Sequence, residues 1–488
     1  MNRAKSVAII GGGLAGLSAA KLLCAKGVTV SLFEANAKVG GCCATTRLGG
    51  YTFNDGAVHL TMPGMLGHLF ERLEIDRACL LPLRRISALQ TAILPDGTIV
   101  TIREGLEVEI KGARYAADSA RLRIEMEAFL REWDPILRFF ANDIMIHPLS
   151  LPRFLAKGWR YLPVLRGTVA SHLNHRFSSE ATRAAFFGPM LFAGVPPDKM
   201  PAVFLMSLAG MLRDGYIIPE GGMGRIPEVL SEAIQKQGGE IYLNSGIRQI
   251  LVENGRAYAV EVENEGVVEF DAVISSVSAM HTYGSLLSES DVSAHITRKL
   301  QRAPLSRKGF VLQLGLANKI EVRSHTNCVI PWLSEQTQIF QSSNGELHWP
   351  IFTVPTFEMP ELAPPGCSII EMFPSIDQRL MPDDWTEARK DEVAARAIKR
   401  LRRDYKIDIA VSRVLSPKEF QNDTHLYGGA IYGLSPLAGP TALFKYHSPI
   451  RGLYLAGQTT WPGFGIGGAG ISGVLAAEAL LRDESLIP

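Results

Sequence analysis

The 488-residue sequence has no run of about eighteen apolar residues, so no membrane-spanning helix is expected. Cysteine is scarce: Cys24, Cys42, Cys43, Cys79, Cys328 and Cys367 are all there are, and their spacing fits no metal site. So few cysteines point to free thiols in a reducing cytoplasm. The amino-terminal segment has too few charges before its apolar run to read as a signal sequence. Charge excess is also missing. With 50 basic against 49 acidic residues, no nucleic-acid partner is expected. Internal repeats and low-complexity tracts are absent, and no Ser/His/Asp or paired-carboxylate signature stands out. His172 and His175 have one-face spacing for a metal but no third ligand, so they read as surface residues and no metal is expected. A chain of this length makes two or three domains with a substantial core.

What is present is concentrated at the amino terminus. Val7 to Ile10 is a short apolar run, followed by Gly11-x-Gly13-x-x-Gly16, a helix-like Leu17 to Leu23, and a second apolar run, Val28 to Phe33, ending in Glu34. That order is strand, glycine turn, helix, strand, acid, the arrangement that holds a dinucleotide. Gly11 makes the turn, Gly13 lets a pyrophosphate approach the backbone, and Gly16 lets the helix pack on the strand. The helix start offers N–H groups to phosphate. Glu34 is placed for ribose hydroxyls. The fingerprint alone does not separate NAD from FAD. A second glycine pair, Gly40-Gly41, follows directly, and a cofactor stretching from adenine to isoalloxazine needs such a second backbone approach. This favours FAD. No second complete fingerprint exists, so a dedicated NAD(P)H domain is not expected.

The carboxy-terminal stretch Gly452 to Gly473 repeats the strand–glycine–helix logic. Leu453 to Leu455 is strand-like, Gly457 opens a glycine-rich loop, and Ile471 to Leu481 reads as a helix whose start can face a flavin ring.

These motifs, with Gly50-Tyr-Thr-Phe, Gly56, Pro219 to Gly224 and Tyr432-Gly433, resemble the flavin-dependent amine oxidase superfamily, and within it the phytoene desaturase and carotenoid isomerase branch. The resemblance implies an α/β fold: a Rossmann-type FAD-binding domain of glutathione-reductase-like type with an inserted α+β substrate domain. The cofactor domain would comprise residues 1–75, 215–285 and 445–488; the substrate or cap domain, 76–214 and 286–444. It also implies a cofactor-binding set. Gly11, Gly13, Leu14, Ala15 and Gly16 form the first turn, with Glu34 and Ala35 at the ribose. Gly40, Gly41, Cys42, Ala57 and Val58 lie beside the flavin, and Ile247 near the adenine. Gly457 and Gln458 fall near the ribityl-phosphate, with Gly467, Gly468 and Ala469 at the pyrimidine edge. Two departures stand out. Cys42 replaces an arginine that many relatives carry, and Gln458 replaces an aspartate. Cys42-Cys43 reads as small residues packed near the cofactor; a vicinal disulfide or a thiol–flavin bond is the alternative.

The remaining chain offers weaker signals. Arg121 to Phe140 has helical amphipathic spacing. Leu151 to Arg166 mixes basic and aromatic residues, which suits either a cap helix or a peripheral contact with a membrane surface through Trp159, Tyr161, Arg153, Lys157, Arg160 and Arg166. Phe186 to Ala193 and Met200 to Met211 are apolar and methionine-rich, fit for core or for a greasy pocket. Glu387 to Asp404 reads as a solvated helix.

A flavin accepts hydride at N5, so the protein must align a substrate C–H, exclude water and stabilise the reduced ring. His59 is the candidate polar group near the ring, able to take a proton. Lys308 lies roughly where amine oxidases carry an oxygen-activating lysine. The leading expectation is an FAD-dependent desaturase or dehydrogenase of a small apolar, polyene or terpenoid-like substrate. The alternatives are a flavin amine oxidase of secondary metabolism or amino-acid catabolism, and a redox-neutral isomerase using reduced FAD. Substrate identity, electron acceptor and oligomeric state stay open.

Overall fold

The computed structural model describes residues 5–76, 81–112, 119–337 and 351–483. Its first layer is a five-stranded parallel sheet in the order Glu240–Tyr242, Thr29–Phe33, Ser6–Ile10, Ala272–Ser275, Leu453–Leu455. These strands are near-continuous apolar runs because both faces are covered. Val7 and Ile9 enter one core cluster, Ala8 and Ile10 the other. The sheet therefore joins three stretches far apart in sequence.

Helix Leu14–Ala25 is buried along most of its length, between this sheet and the closing helix Ile466–Asp483. A helix that is apolar nearly all round needs such double cover. The closing helix begins at Ile466, five residues before the Ile471 expected from sequence. Glycine is a poor helix former, so Gly467, Gly468 and Gly470 read as loop. Packing reverses that preference. A Cβ on Gly467 would lie 2.5 Å from Met65 Cβ, one on Gly470 2.4 Å from Leu69, and one on Gly473 2.0 Å from the Ala15 carbonyl oxygen. The glycines let three helices touch.

The second layer is an eight-stranded mixed sheet. Its order is Ile409–Leu415, Val311–Leu316, Ser368–Met372, Ile351–Thr353, Thr326–Val329, Ala88–Ile93, Ile99–Arg103, Glu107–Lys111. Leu312, Leu314, Ile370 and Met372 pack with Val393, Ala397 and Leu401 of helix Glu387–Asp404. The opposite face receives the ribbon Thr45–Leu48/Tyr51–Asn54. Tyr51 lies over Gly315, where an added Cβ would come within 2.8 Å of the ring, and its hydroxyl donates to the Leu316 carbonyl at 3.0 Å. Together the layers make an α/β fold with a Rossmann-type sheet.

The amphipathic segment 121–140 is helical as Ser119–Phe139. His172 is not a surface residue: it is 8 % exposed, packs edge-on to Trp133, and its Nε2 lies 2.7 Å from the Arg166 carbonyl. The apolar face of the helices around it drew it inward. No group of His, Cys, Asp and Glu able to hold a metal occurs among the described residues, and no described helix is long and apolar enough to cross a membrane.

Candidate active site

One cavity of about 610 Å³ runs from the edge of the parallel sheet to the face of the eight-stranded sheet. Its first part lies at the carboxyl ends of the parallel strands, where α/β sheets bind ligands. Gly11 and Gly13 line it, followed by Leu14 and Ala15 at the start of the first helix. No side chain caps that helix, so its leading N–H groups are available to an anion. A Cβ on Gly13 would meet nothing within 4 Å, which leaves the cavity side open to a phosphate. Gly16 does not line the cavity. A Cβ there would stand 2.0 Å from the Gly11 carbonyl oxygen, so this glycine serves helix–strand packing.

Glu34 and Ala35 line the same end. Glu34 is buried; Oε2 accepts from the Gly12 N–H at 2.7 Å, and Oε1 accepts from Asn36 N and Nδ2, both at 2.8 Å. A carboxylate has about four acceptor positions, so one remains for a ribose hydroxyl. Gly40 and Gly41 fold back onto the first turn: Gly40 N–H donates to the Gly12 carbonyl at 2.8 Å, and Gly41 sits against Gly13. Both have positive φ, 124° and 52°, which glycine adopts at no steric cost. Cys42, Ala57, Val58 and Ile247 are also lining residues, as are Gly457, Gln458, Gly467, Gly468 and Ala469. The start of the closing helix therefore faces the same channel as the start of the first. Two glycine-rich helix starts, the first of them uncapped, an open backbone cradle and a buried ribose-type carboxylate in one channel fit FAD.

Cys42 and Cys43 are free thiols. Burial pushes Cys42 up to about 11, and burial raises Cys43 as well. Neither is a thiolate at neutral pH, so they serve as small packing groups and not as a reactive pair. Cys79 lies outside the described residues.

The far part of the cavity is apolar. Met62, Met65, Met145 and Met190 line it with Phe192, Phe204, Phe310 and Phe373. Phe192 and Phe373 meet edge to face at 5.3 Å. His59 stands where this chamber joins the channel. Its ring stacks on Tyr216 at 3.8 Å and meets His325 edge-on at 5.5 Å. Its Nδ1 is buried with no hydrogen-bond partner among the described residues. Burial, and then the neighbouring His325, hold His59 well below the usual imidazole range, so the ring is neutral. Lys308 lines the cavity too, but its ammonium donates to the Gln378 and Leu380 carbonyls at 2.7 and 2.8 Å. Burial lowers its pKa despite Asp377 and Asp384.

Several lining groups escaped the sequence reading. Asn36 has a detectable signal, two residues after the ribose acid. His281 and His425 do not. Their rings stack at 4.9 Å although 144 positions apart, and burial with His425 brings His281 down to about 4. Phe373 gives no signal either; only the tertiary fold brings it to Phe192, which belongs to the apolar segment 186–193.

The model of the flavin-containing amine oxidoreductase family matches residues 14–481. A 4,4'-diapophytoene desaturase (4,4'-diapolycopene-forming) of Methylomonas sp is 26% identical, over 96% of this chain and 93% of its own. A lycopene-forming phytoene desaturase of Pseudescherichia vulneris is 27% identical, over 98% and 99%. A solved structure of putrescine oxidase with putrescine bound superposes with a TM-score of 0.59 at 14% identity, over 98% of this chain and 99% of that one, which shows the shared fold. With a cavity built for FAD and a family match across nearly its whole length, the chain belongs to the flavin-containing amine oxidoreductases and is an FAD-dependent oxidoreductase.

Proposed function

We propose that this enzyme dehydrogenates an apolar polyene, as the desaturases it resembles do by name. The observation that carries this reading is the chamber of methionine and phenylalanine side chains opening directly onto the cofactor channel. FAD held along Gly11, Gly13, Glu34 and Gly457 would supply a hydride acceptor at N5. The chain's own residues do the rest. Met62, Met65, Phe192 and Phe373 exclude water and hold a long apolar chain by shape, since thioether side chains adapt to irregular ligands. Loss of hydride from one carbon and of a proton from its neighbour leaves a new double bond. A carbon acid beside a developing cation is strong, so a weak base suffices. His59, neutral and with an unengaged Nδ1, is that base. Lys308 is tied to two carbonyls, which supports dehydrogenation over oxygen-activating amine oxidation. Anaerobic mixing with phytoene or diapophytoene should bleach the flavin and yield a product with one more conjugated double bond. Full flavin absorbance after prolonged contact with both, together with bleaching by an amine, would reverse the assignment.

The substrate's insolubility in water requires a source. Leu149, Leu151, Leu155, Trp159 and Leu162 are all exposed, a third of the exposed large hydrophobics among the described residues. Between Asp143 and Glu180 the sequence has no acidic residue; Lys157 is paired with Asp143, and Arg153, Arg160 and Arg166 supply positive charge. That pairing of apolar and basic groups supports attachment of this segment to an anionic membrane surface. Flotation with anionic vesicles, weakened by Leu155→Ser with Trp159→Ser, tests it; equal flotation of the variant refutes it.

A further inference from the structure

A polar row crosses the eight-stranded sheet. Arg413, Gln313, Glu371, Thr353, Thr326 and Gln90 occupy register-matched positions on six adjacent strands, so they share one face. Gln313, Glu371 and Thr353 are fully buried. The face they share is the one that meets the ribbon strand Tyr51–Asn54. Glu371 Oε1 accepts from the Asn54 backbone N–H at 2.6 Å; Oε2 accepts from Asn54 Nδ2 at 3.4 Å and from the Thr353 hydroxyl at 3.1 Å. Gln313 Nε2 donates to the Asn54 carbonyl at 2.7 Å. Asn54 Oδ1 in turn accepts from the Met223 N–H at 3.0 Å. Every polar group of Asn54 is thereby engaged.

The position of this knot gives it a role. One step of two residues along the same strands, about 7 Å away, lie Val311, Phe373 and Ile351, which form the next row and line the reaction chamber. On the other side, the chain leaving Asn54 runs through Gly56, Ala57 and Val58 to His59, all lining residues. Glu371 thus ties together two walls, each one step from where it binds.

We propose that Glu371 is a positioning residue: its clamp on Asn54 holds the substrate wall of the eight-stranded sheet in register with the flavin-side strand that carries His59. It touches neither cavity nor cofactor and transfers no proton to substrate. The proposal depends on flavin occupying the channel and not on the identity of the substrate.

The clamp is sensitive to pH. Burial, with Asp55 nearby, raises Glu371 to about 7. The charged groups around it are Asp55 and the cations that hold Asp55: Lys38 at 2.9 Å and Arg413 at 2.5 Å. As a carboxylate, Glu371 is met by three donors. A proton on it leaves one of those donors facing an O–H. The Thr353 hydroxyl can turn to accept, but the Asn54 amide nitrogen cannot. The clamp is therefore looser in acid. Stability runs the opposite way. The folded pKa lies above the ordinary 4.5, so the contribution is complete below about 4.5 and is lost as pH rises through about 7.

The test uses the FAD-loaded enzyme, with Glu371→Gln, Glu371→Ala and Thr353→Val as variants. In the native enzyme the visible flavin spectrum should move with a midpoint near 7, and its thermal stability relative to Glu371→Gln should fall as pH rises from about 4.5 to about 7. Glu371→Gln should flatten the spectral curve. Thr353→Val, which removes one donor to the carboxylate, should shift the midpoint upward. Glu371→Ala should slow flavin reduction about tenfold or more at unchanged FAD content, because small misplacements at reacting centres are costly. If Glu371→Ala fails to fold, the carboxyl infrared band of the native enzyme, followed across pH, still decides the ionisation. A native spectrum that is flat with pH, or an unchanged midpoint in Glu371→Gln, overturns the proposal. The spectral arm needs no substrate, so it stands apart from the polyene test above.

Discussion

Replacing Gly473 by alanine tests whether the two cofactor-facing helices are held by contact between their backbones. The added Cβ would lie 2.0 Å from the Ala15 carbonyl oxygen and 2.8 Å from its carbon. Real Cβ atoms come no closer than about 3 Å, so the helices must part by about 1 Å, and the obstacle is backbone and cannot rotate away. Overpacking of this kind costs about 3 kcal/mol. Alanine's better helix propensity returns about 1 kcal/mol. The net loss is about 2 kcal/mol, a drop in melting temperature of about 2 °C in a chain of this size. Flavin retention should suffer more than stability. Ala15 and Gly467–Ala469 line the cofactor channel from the two helices that are forced apart. The assay is the visible-to-ultraviolet absorbance ratio after gel filtration, beside a melting curve. Gly284→Ala is the control: also in a helix, it has nothing within 4 Å of the added carbon and should be neutral or stabilising. A Gly473→Ala protein that keeps its full flavin complement and melts with the native enzyme would refute the close-contact reasoning.

Other outcomes follow from the site. His59→Phe keeps the stack on Tyr216 but removes the nitrogen; flavin content should hold while anaerobic reduction slows about a hundredfold, and a change within threefold would dismiss His59 as the base. Glu34→Ala strips the acceptor from the Gly12 and Asn36 N–H groups and should weaken FAD binding by about 2 kcal/mol in equilibrium dialysis. Lys308→Met should loosen the 378–380 turn, seen as faster local hydrogen exchange, with no change in the rate at which reduced enzyme reacts with oxygen. The buried histidines set an acid limit. His281 and His325 fall to about 4 and about 3 through burial, so the unfolded chain binds more protons, and melting temperature should decline as pH drops below about 6.5.

The dinucleotide site was legible because its chemistry is local. Gly11, Gly13, Glu34 and the Gly40-Gly41 pair act through backbone turns fixed within about thirty residues, and spacing alone reports such turns. The apolar strands Ser6–Ile10 and Leu453–Leu455 were equally plain, since burial on both faces leaves a continuous apolar run. The start of the closing helix was misread because its glycines are chosen for what lies across from them, Met65, Leu69 and Ala15, and propensity carries no information about a partner. His172 was misplaced for the same reason.

Sequence by itself determined the cofactor class and the parallel sheet, both set by short-range geometry. The tertiary structure decided everything that depends on residues meeting across the chain. It tied Lys308 to two carbonyls, stacked His59 on Tyr216, and set six polar residues from separate strands into one row behind the chamber. In sequence those six are polar residues on six separate strands, with nothing to mark them as neighbours. Only strand register puts them side by side, and register is settled by the whole sheet.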